Sequence, residues 1–224
     1  MLGQVYTYFI QGGIFMWPIL LFSLIALAVI IERLIVFHRA KVNVNEFLTK
    51  VRKALLVNRN VKEAIKVCEQ YRGPVASVTK AGLLRYGHDR QDIEKTIENA
   101  ALYELDRLER RLSILATTAN VEPMLGFLGT VSGMIKSFGT LATQGLSNPG
   151  AVAAGISEAL ITTAAGLIIA LPMQLAYNYY TTRINKFVRD IETSANMLLE
   201  TYGEMERGGI TPERAAEPMA PVKG

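Results

Sequence analysis

Glu158 is the one acidic or basic residue between Ala151 and Thr182. It stands in the stretch GISEALITTAAG, residues 155–166, where its neighbours are otherwise small or oily and two hydroxyls, Thr162 and Thr163, follow one helical turn on. Such a run suits hydrocarbon, and an ionised carboxylate at the centre of a bilayer costs roughly 3 kcal/mol. Burial there favours the neutral acid over the carboxylate. An acid held in that balance gains and loses a proton under physiological conditions, and threonine hydroxyls can donate to it or hold a water beside it. The chemistry indicated is proton carriage by Glu158, with Thr162 and Thr163 alongside. A second segment, PMLGFLGTVSGMIKSF at 123–138, places Thr130 among glycines, with Glu122 just before it and Lys136 inside it. Glu122 is expected either to snorkel to one interface or to act as a secondary proton relay. Lys136 has a stem long enough to snorkel to the opposite headgroups.

These side chains need membrane-crossing helices to hold them. The chain has 224 residues, 50% of them hydrophobic, and the apolar ones gather in three runs, 14–37, 112–142 and 151–182. Each run exceeds the ~20 residues that span hydrocarbon as a helix. The expected fold is an all-α integral membrane protein with three transmembrane helices. On a helical wheel Gly155, Glu158, Thr162, Thr163 and Gly166 fall mainly on one half of the third run. Leu160, Ile161, Leu167, Ile168, Leu171 and Leu175 fall on the other. In the second run Gly126, Gly129, Gly133 and Ser137 share a stripe, with Phe127, Leu128, Val131, Ile135 and Phe138 away from it. Small residues let membrane helices approach closely. The five glycines are therefore assigned to helix packing and the bulky faces to lipid. Counting rise from the short connection between the runs puts Thr130 and Thr163 at equal depth. The same count puts Glu158 nearer the connection and Glu122 far from it, beside Pro172.

Charge sets the orientation. Residues 1–31 and 143–182 contain no Lys or Arg, whereas sixteen of the 24 basic residues lie in 39–111 and six follow Thr182. Basic residues gather on the cytoplasmic side. Residues 1–13 and the loop 143–150 are then outside, and a helical domain at 38–111 and a helix at 183–206 are inside. Within the inner part, Asn60 is placed to cap a helix with Glu63 three residues on, and Gly73-Pro74 marks a turn. A helix beginning near Asp89 carries a seam of Ile97, Ala101, Leu105, Leu108, Leu112 and Leu115. The third run continues into a similar seam of Ile184, Val188, Ile191, Ala195, Leu198 and Tyr202. No breaker separates either seam from its span. The second and third spans are thus expected to extend as long rods into the cytoplasm and to pack together there. The tail, 207–224, has three prolines and no periodicity, and is expected to be disordered.

The composition excludes several classes. One cysteine forbids an internal disulfide framework, and two histidines far from it make no metal site. No phosphate loop, dinucleotide fingerprint or nucleophile elbow is present, so neither an enzyme nor a cofactor is expected. A pI near 9.2 suits nucleic acid in principle, but the membrane accounts for where the basic residues sit, and no nucleic-acid partner is expected.

At 123–138 and at NPGAVAAGISEALITTAAGLIIALP, residues 148–172, the chain resembles the MotA/TolQ/ExbB proton-channel family, ExbB/TolQ branch. The resemblance covers roughly residues 8–205. It implies a homo-oligomer, a pentamer, around a central pore in the bacterial inner membrane, with the N-terminus periplasmic and the C-terminus cytoplasmic. It implies a single-span ExbD/TolR-like partner in that pore. A TonB-like or TolA-like protein would receive the work done by proton flow, for outer-membrane transport or envelope maintenance. The family's pore glutamate falls on Glu158 and its two pore threonines on Thr130 and Thr163. Glu122 departs from the small uncharged residue usual before the second-span proline. It could add a titratable site on the inner half of the path. The alternatives are a flagellar-type stator, disfavoured by three spans where that branch has four, and a non-conducting membrane scaffold.

Overall fold

The computed structural model describes residues 2–40 and 42–207. Its helices are α1 (Leu2–Gln11), α2 (Met16–Arg39), α3 (Val44–Leu56), α4 (Val61–Gln70), α5 (Pro74–Leu83), α6 (Arg90–Glu109), α7 (Leu112–Gln144) and α8 (Pro149–Arg207), with a 3-10 turn at Gly145–Ser147. No strand occurs among the described residues, and the all-helical reading holds. From residue 208 on, the tail lies outside the described residues. Two compact units emerge: the described parts of Met1–Arg33 with Arg111–Tyr180, and those of Leu34–Arg110 with Thr181–Gly224.

The second unit is a small helical domain with its own core. Phe47, Val51 and Leu55 of α3, Ala64 and Cys68 of α4, Val78 and Leu83 of α5, Ile93 and Ile97 of α6, and Ile191, Leu198 and Tyr202 of α8 share one buried cluster. The helical spacing of these residues puts each set on one face of its helix. Short polar signals separate the helices. Asn43 accepts from the Glu46 amide at 3.4 Å and Asn60 from the Glu63 amide at 3.2 Å, as the Asn60 pattern leads one to expect. Gly73, at φ +137°, turns the chain so that Pro74 can open α5. The Tyr202 hydroxyl donates to the Gly82 carbonyl at 3.1 Å and its ring lies 4.9 Å from that of Tyr86. The Ile97 and Leu198 side chains both border Gly82. Of the two expected seams, Ile97, Ala101 and Leu105 of the first and Ile191, Ala195, Leu198 and Tyr202 of the second thus meet in this core.

The first unit contains α1, most of α2, α7 and the first part of α8. Two described helices, α2 and α8, are long and apolar enough to cross a membrane. The 33-residue α7 is long enough. It lacks the same apolarity because its glycines, serines, threonines, Glu122 and Lys136 dilute its oily residues. The outer faces behave as expected: Phe127, Ile135, Phe138, Leu160, Ile168, Leu171 and Leu175 are all exposed.

Two features go beyond the expected layout. The residues before the first span form a helix, α1, ended by Gly12 and Gly13, with Gly13 at φ +73°. The rod expected through 89–142 is interrupted: α6 stops at Glu109 and α7 starts at Leu112, with Arg110 and Arg111 as a turn between. Neither arginine is a helix breaker by type, so residue propensity gave no warning of it. By contrast α8 is unbroken from Pro149 through Pro172 to Arg207.

Candidate functional site

The site is made where α7 and α8 pack antiparallel through small residues. Gly126, Gly129 and Gly133 of α7 and Gly155 and Gly166 of α8 are all buried. A methyl group added at Gly133 would meet the Ala159 Cβ at 2.8 Å, and one at Gly166 the Glu122 carbonyl at 2.6 Å. These are contacts only hydrogen side chains allow. The Ser137 hydroxyl adds a hydrogen bond to the Val152 carbonyl at 2.9 Å.

This interlock sets which residues are level. Thr163 donates to the Gly126 carbonyl at 2.9 Å and lies within reach of Ala159 O in its own helix at 3.1 Å. The carbonyls that the Thr163 and Thr130 hydroxyls bond, those of Gly126 and Phe127, are one residue's rise apart, ~1.5 Å, so the two hydroxyls are close in level but on different faces of α7. The glycine contacts fix the slide of one helix along the other. The Glu122 carbonyl borders Gly166. Thr130 donates to the Phe127 carbonyl at 2.6 Å and lines an apolar groove with Val131, Met134, Ile135 and Phe138. Within one chain Thr130 and Thr163 are therefore not brought together.

Glu158 faces the interlocked side, with its side chain only 16% exposed. Its carboxylate is held by Lys136, whose ammonium lies 2.7 Å from one oxygen and 2.8 Å from the other. The pairing overturns the expectation that Lys136 snorkels away, and helix polarity explains it. Every Cα–Cβ bond leans toward its helix N-terminus. On antiparallel helices Lys136 of α7 leans away from the 145–147 turn and Glu158 of α8 leans toward it, so the two converge. Gly13 closes the other side, so near the carboxylate that an added methyl would collide with Glu158 Oε1.

The hydroxyls do not address the carboxylate. Thr162, fully buried, lies 2.6 Å from the Gly12 carbonyl and 2.8 Å from the Glu158 carbonyl, both acceptors for its one proton. Thr162 thereby ties the α1–α2 turn to α8 at the level of the site. Glu122 is wholly buried, and neither carboxylate oxygen has a hydrogen-bond partner. It does not snorkel. Beside the Lys136–Glu158 pair lies a cavity of about 660 Å³, walled in part by Gln11, Thr140, Thr143 and Ser157. No group of three or more metal-ligating side chains occurs among the described residues.

Two features were missed in the sequence: the Gly12–Gly13 turn and the pairing of Lys136. The double glycine ahead of the first apolar run was a signal for the turn. The opposite charges of two residues isolated in facing apolar runs were a signal for the pair.

The sequence is similar to known proteins. Residues 70–193 match the MotA/TolQ/ExbB proton channel family. An ExbB homolog of Methanothermobacter thermautotrophicus is 28% identical over 91% of this chain and 72% of its own. An ExbB-like biopolymer transport protein of Synechocystis sp. is 34% identical over 75% of this chain and 81% of its own. The Tol-Pal system protein TolQ of Haemophilus influenzae is 42% identical over a shorter stretch, 39% of this chain and 38% of its own.

Proposed function

Since the chain belongs to the MotA/TolQ/ExbB proton channel family, we propose that it is the channel subunit of an inner-membrane motor that turns proton-motive force into mechanical work. In this reading α2, α7 and the first part of α8 are three membrane spans, with the N-terminus periplasmic and the C-terminus cytoplasmic. Copies of the chain assemble as a homo-oligomer, a pentamer, around a pore occupied by a single-span ExbD/TolR-like protein. A TonB-like or TolA-like protein receives the work. Glu158 carries the proton, Thr130, Thr162 and Thr163 shape its path, and Glu122 is a secondary relay.

The observation that carries this reading is Glu158 itself. It is the one ionisable carboxyl in the apolar part of α8, drawn into the α7–α8 packing and open to a cavity with a polar wall. Moving a proton through 100 mV releases ~2.3 kcal/mol, so a motor must couple several. The neutral isostere tests the role. With the partner co-expressed, Glu158→Gln is expected to insert and assemble normally while proton uptake and partner-driven transport fall to background. Full transport by the Gln variant would leave a scaffold as the better description.

A further inference from the structure

We propose that Lys136 is a tethered counter-ion that clamps Glu158 as a carboxylate and is released toward the adjoining cavity each time that acid takes up a proton. The inference rests on Glu158 as the proton carrier and adds a positioning residue to it.

Both carboxylate oxygens are engaged by one ammonium, at 2.7 and 2.8 Å. The two partners are unequally held. The Glu158 side chain is 16% exposed and the Lys136 side chain 57%, so the acid is fixed by packing and the lysine has room to leave. Among the described residues that line the cavity, Glu158 meets no charge other than Lys136. α7 presents Lys136; the Gly12–Gly13 turn presents backbone and, beside it, the neutral amide of Gln11; α8 itself presents Ser157 and Thr162. Lys136 and Glu158 are the two charged residues in the lining of the 660 Å³ cavity. Thr140, Thr143 and Ser157 in its wall can hydrate a displaced ammonium.

The step balances simply. A hydronium ion in the cavity gives its proton to a Glu158 oxygen and becomes water, while the ammonium keeps its own protons. The carboxylate's charge is gone, and an ammonium against a neutral acid in a low-dielectric packing interface is worse placed than one among waters. The four-carbon stem then swings into the cavity. Loss of the proton restores the carboxylate and draws the lysine back. Each proton that enters thus moves one tethered positive charge at the α7–α8 interface, a displacement that neighbouring helices can sense.

Chemical labelling tests this without relying on transport. Dicyclohexylcarbodiimide is apolar and modifies neutral carboxyl groups in membranes, and adducts at Glu158 are counted by peptide mass spectrometry on the full chain in native membranes near neutral pH. Wild type is expected to label slowly. Lys136→Met is expected to label at least about tenfold faster, since the carboxylate loses the opposite charge that holds it ionised. Lys136→Gln, which keeps a polar head, should do the same and guards against misfolding of the first variant. Lys136→Arg should label as slowly as wild type. Equal rates in wild type and both neutral variants would overturn the proposal, as would rapid labelling of Lys136→Arg. Full transport by Glu158→Gln would strike the motor reading instead, whatever the labelling shows.

Discussion

At Gly13 a single hydrogen atom as side chain serves two ends. It permits φ +73° between α1 and α2, and it leaves room for the Glu158 carboxylate. Gly13→Val is therefore expected to strain the turn by about 1–2 kcal/mol and to push Glu158 out of its pocket. The measurable result is a loss of partner-driven transport with membrane insertion retained; a fully active Val variant would show that the close approach is dispensable. Cys68 behaves oppositely, as a buried residue with no chemistry. Burial pushes its thiol up to about 12, and burial also raises the Tyr202 and Tyr86 hydroxyls. An unfolded thiol titrates near 8.5. The folded state therefore keeps protons that the unfolded state has released, and stability must fall as pH rises through that window. The urea midpoint of the full chain in detergent is expected to decline between about pH 9 and about pH 11, and Cys68→Ala should flatten part of the decline. A midpoint that rises with pH would contradict the sign.

At the scale of elements, the α7–α8 pair depends on the absence of side chains. Gly133 faces the Gly155 carbonyl at what would be 2.5 Å from an added Cβ. Since backbone cannot yield as a flexible side chain does, Gly133→Ile should cost about 1–3 kcal/mol by overpacking. It would be read as a lowered thermal midpoint in detergent; an unchanged midpoint would mean that the helices slide freely. In the second unit the comparable single change is at a cap. Asn60→Ala removes the acceptor for the Glu63 amide and is expected to cost about 1 kcal/mol, measured as a shift in the denaturation midpoint. The seams of α6 and α8 were legible as apolar periodicity, because burial of one helical face demands it. The break at Arg110–Arg111 was not legible, since nothing in two arginines forbids a helix.

For the whole molecule, the proposed orientation rests on the basic residues, which are absent from 1–31 and 143–182 and crowded in 39–111. On intact cells carrying Cys68→Ser, an impermeant maleimide is expected to label Ser147→Cys at once and His88→Cys only after permeabilisation. The reverse pattern would invert the proposed topology. Purified in mild detergent, the chain is expected to run as a homo-oligomer whose subunit number native mass spectrometry reads as five; a stable monomer would remove the pore.

The residues by themselves determined the helical class, the small and oily faces of α7 and α8, and Glu158 as the acid of interest. Each of these follows from local periodicity and from the cost of charge in an apolar run, which need no knowledge of neighbours. Only the tertiary structure decided how α7 and α8 interlock, and with it that Thr163 bonds the Gly126 carbonyl while Thr130 turns back to that of Phe127. It also decided that Lys136 turns to Glu158 and that Glu122 is buried without a partner. Such pairings depend on differences of a few ångströms in how two helices interlock. Close packing between distant parts of the chain sets those differences, and residue type and spacing along one helix do not encode them.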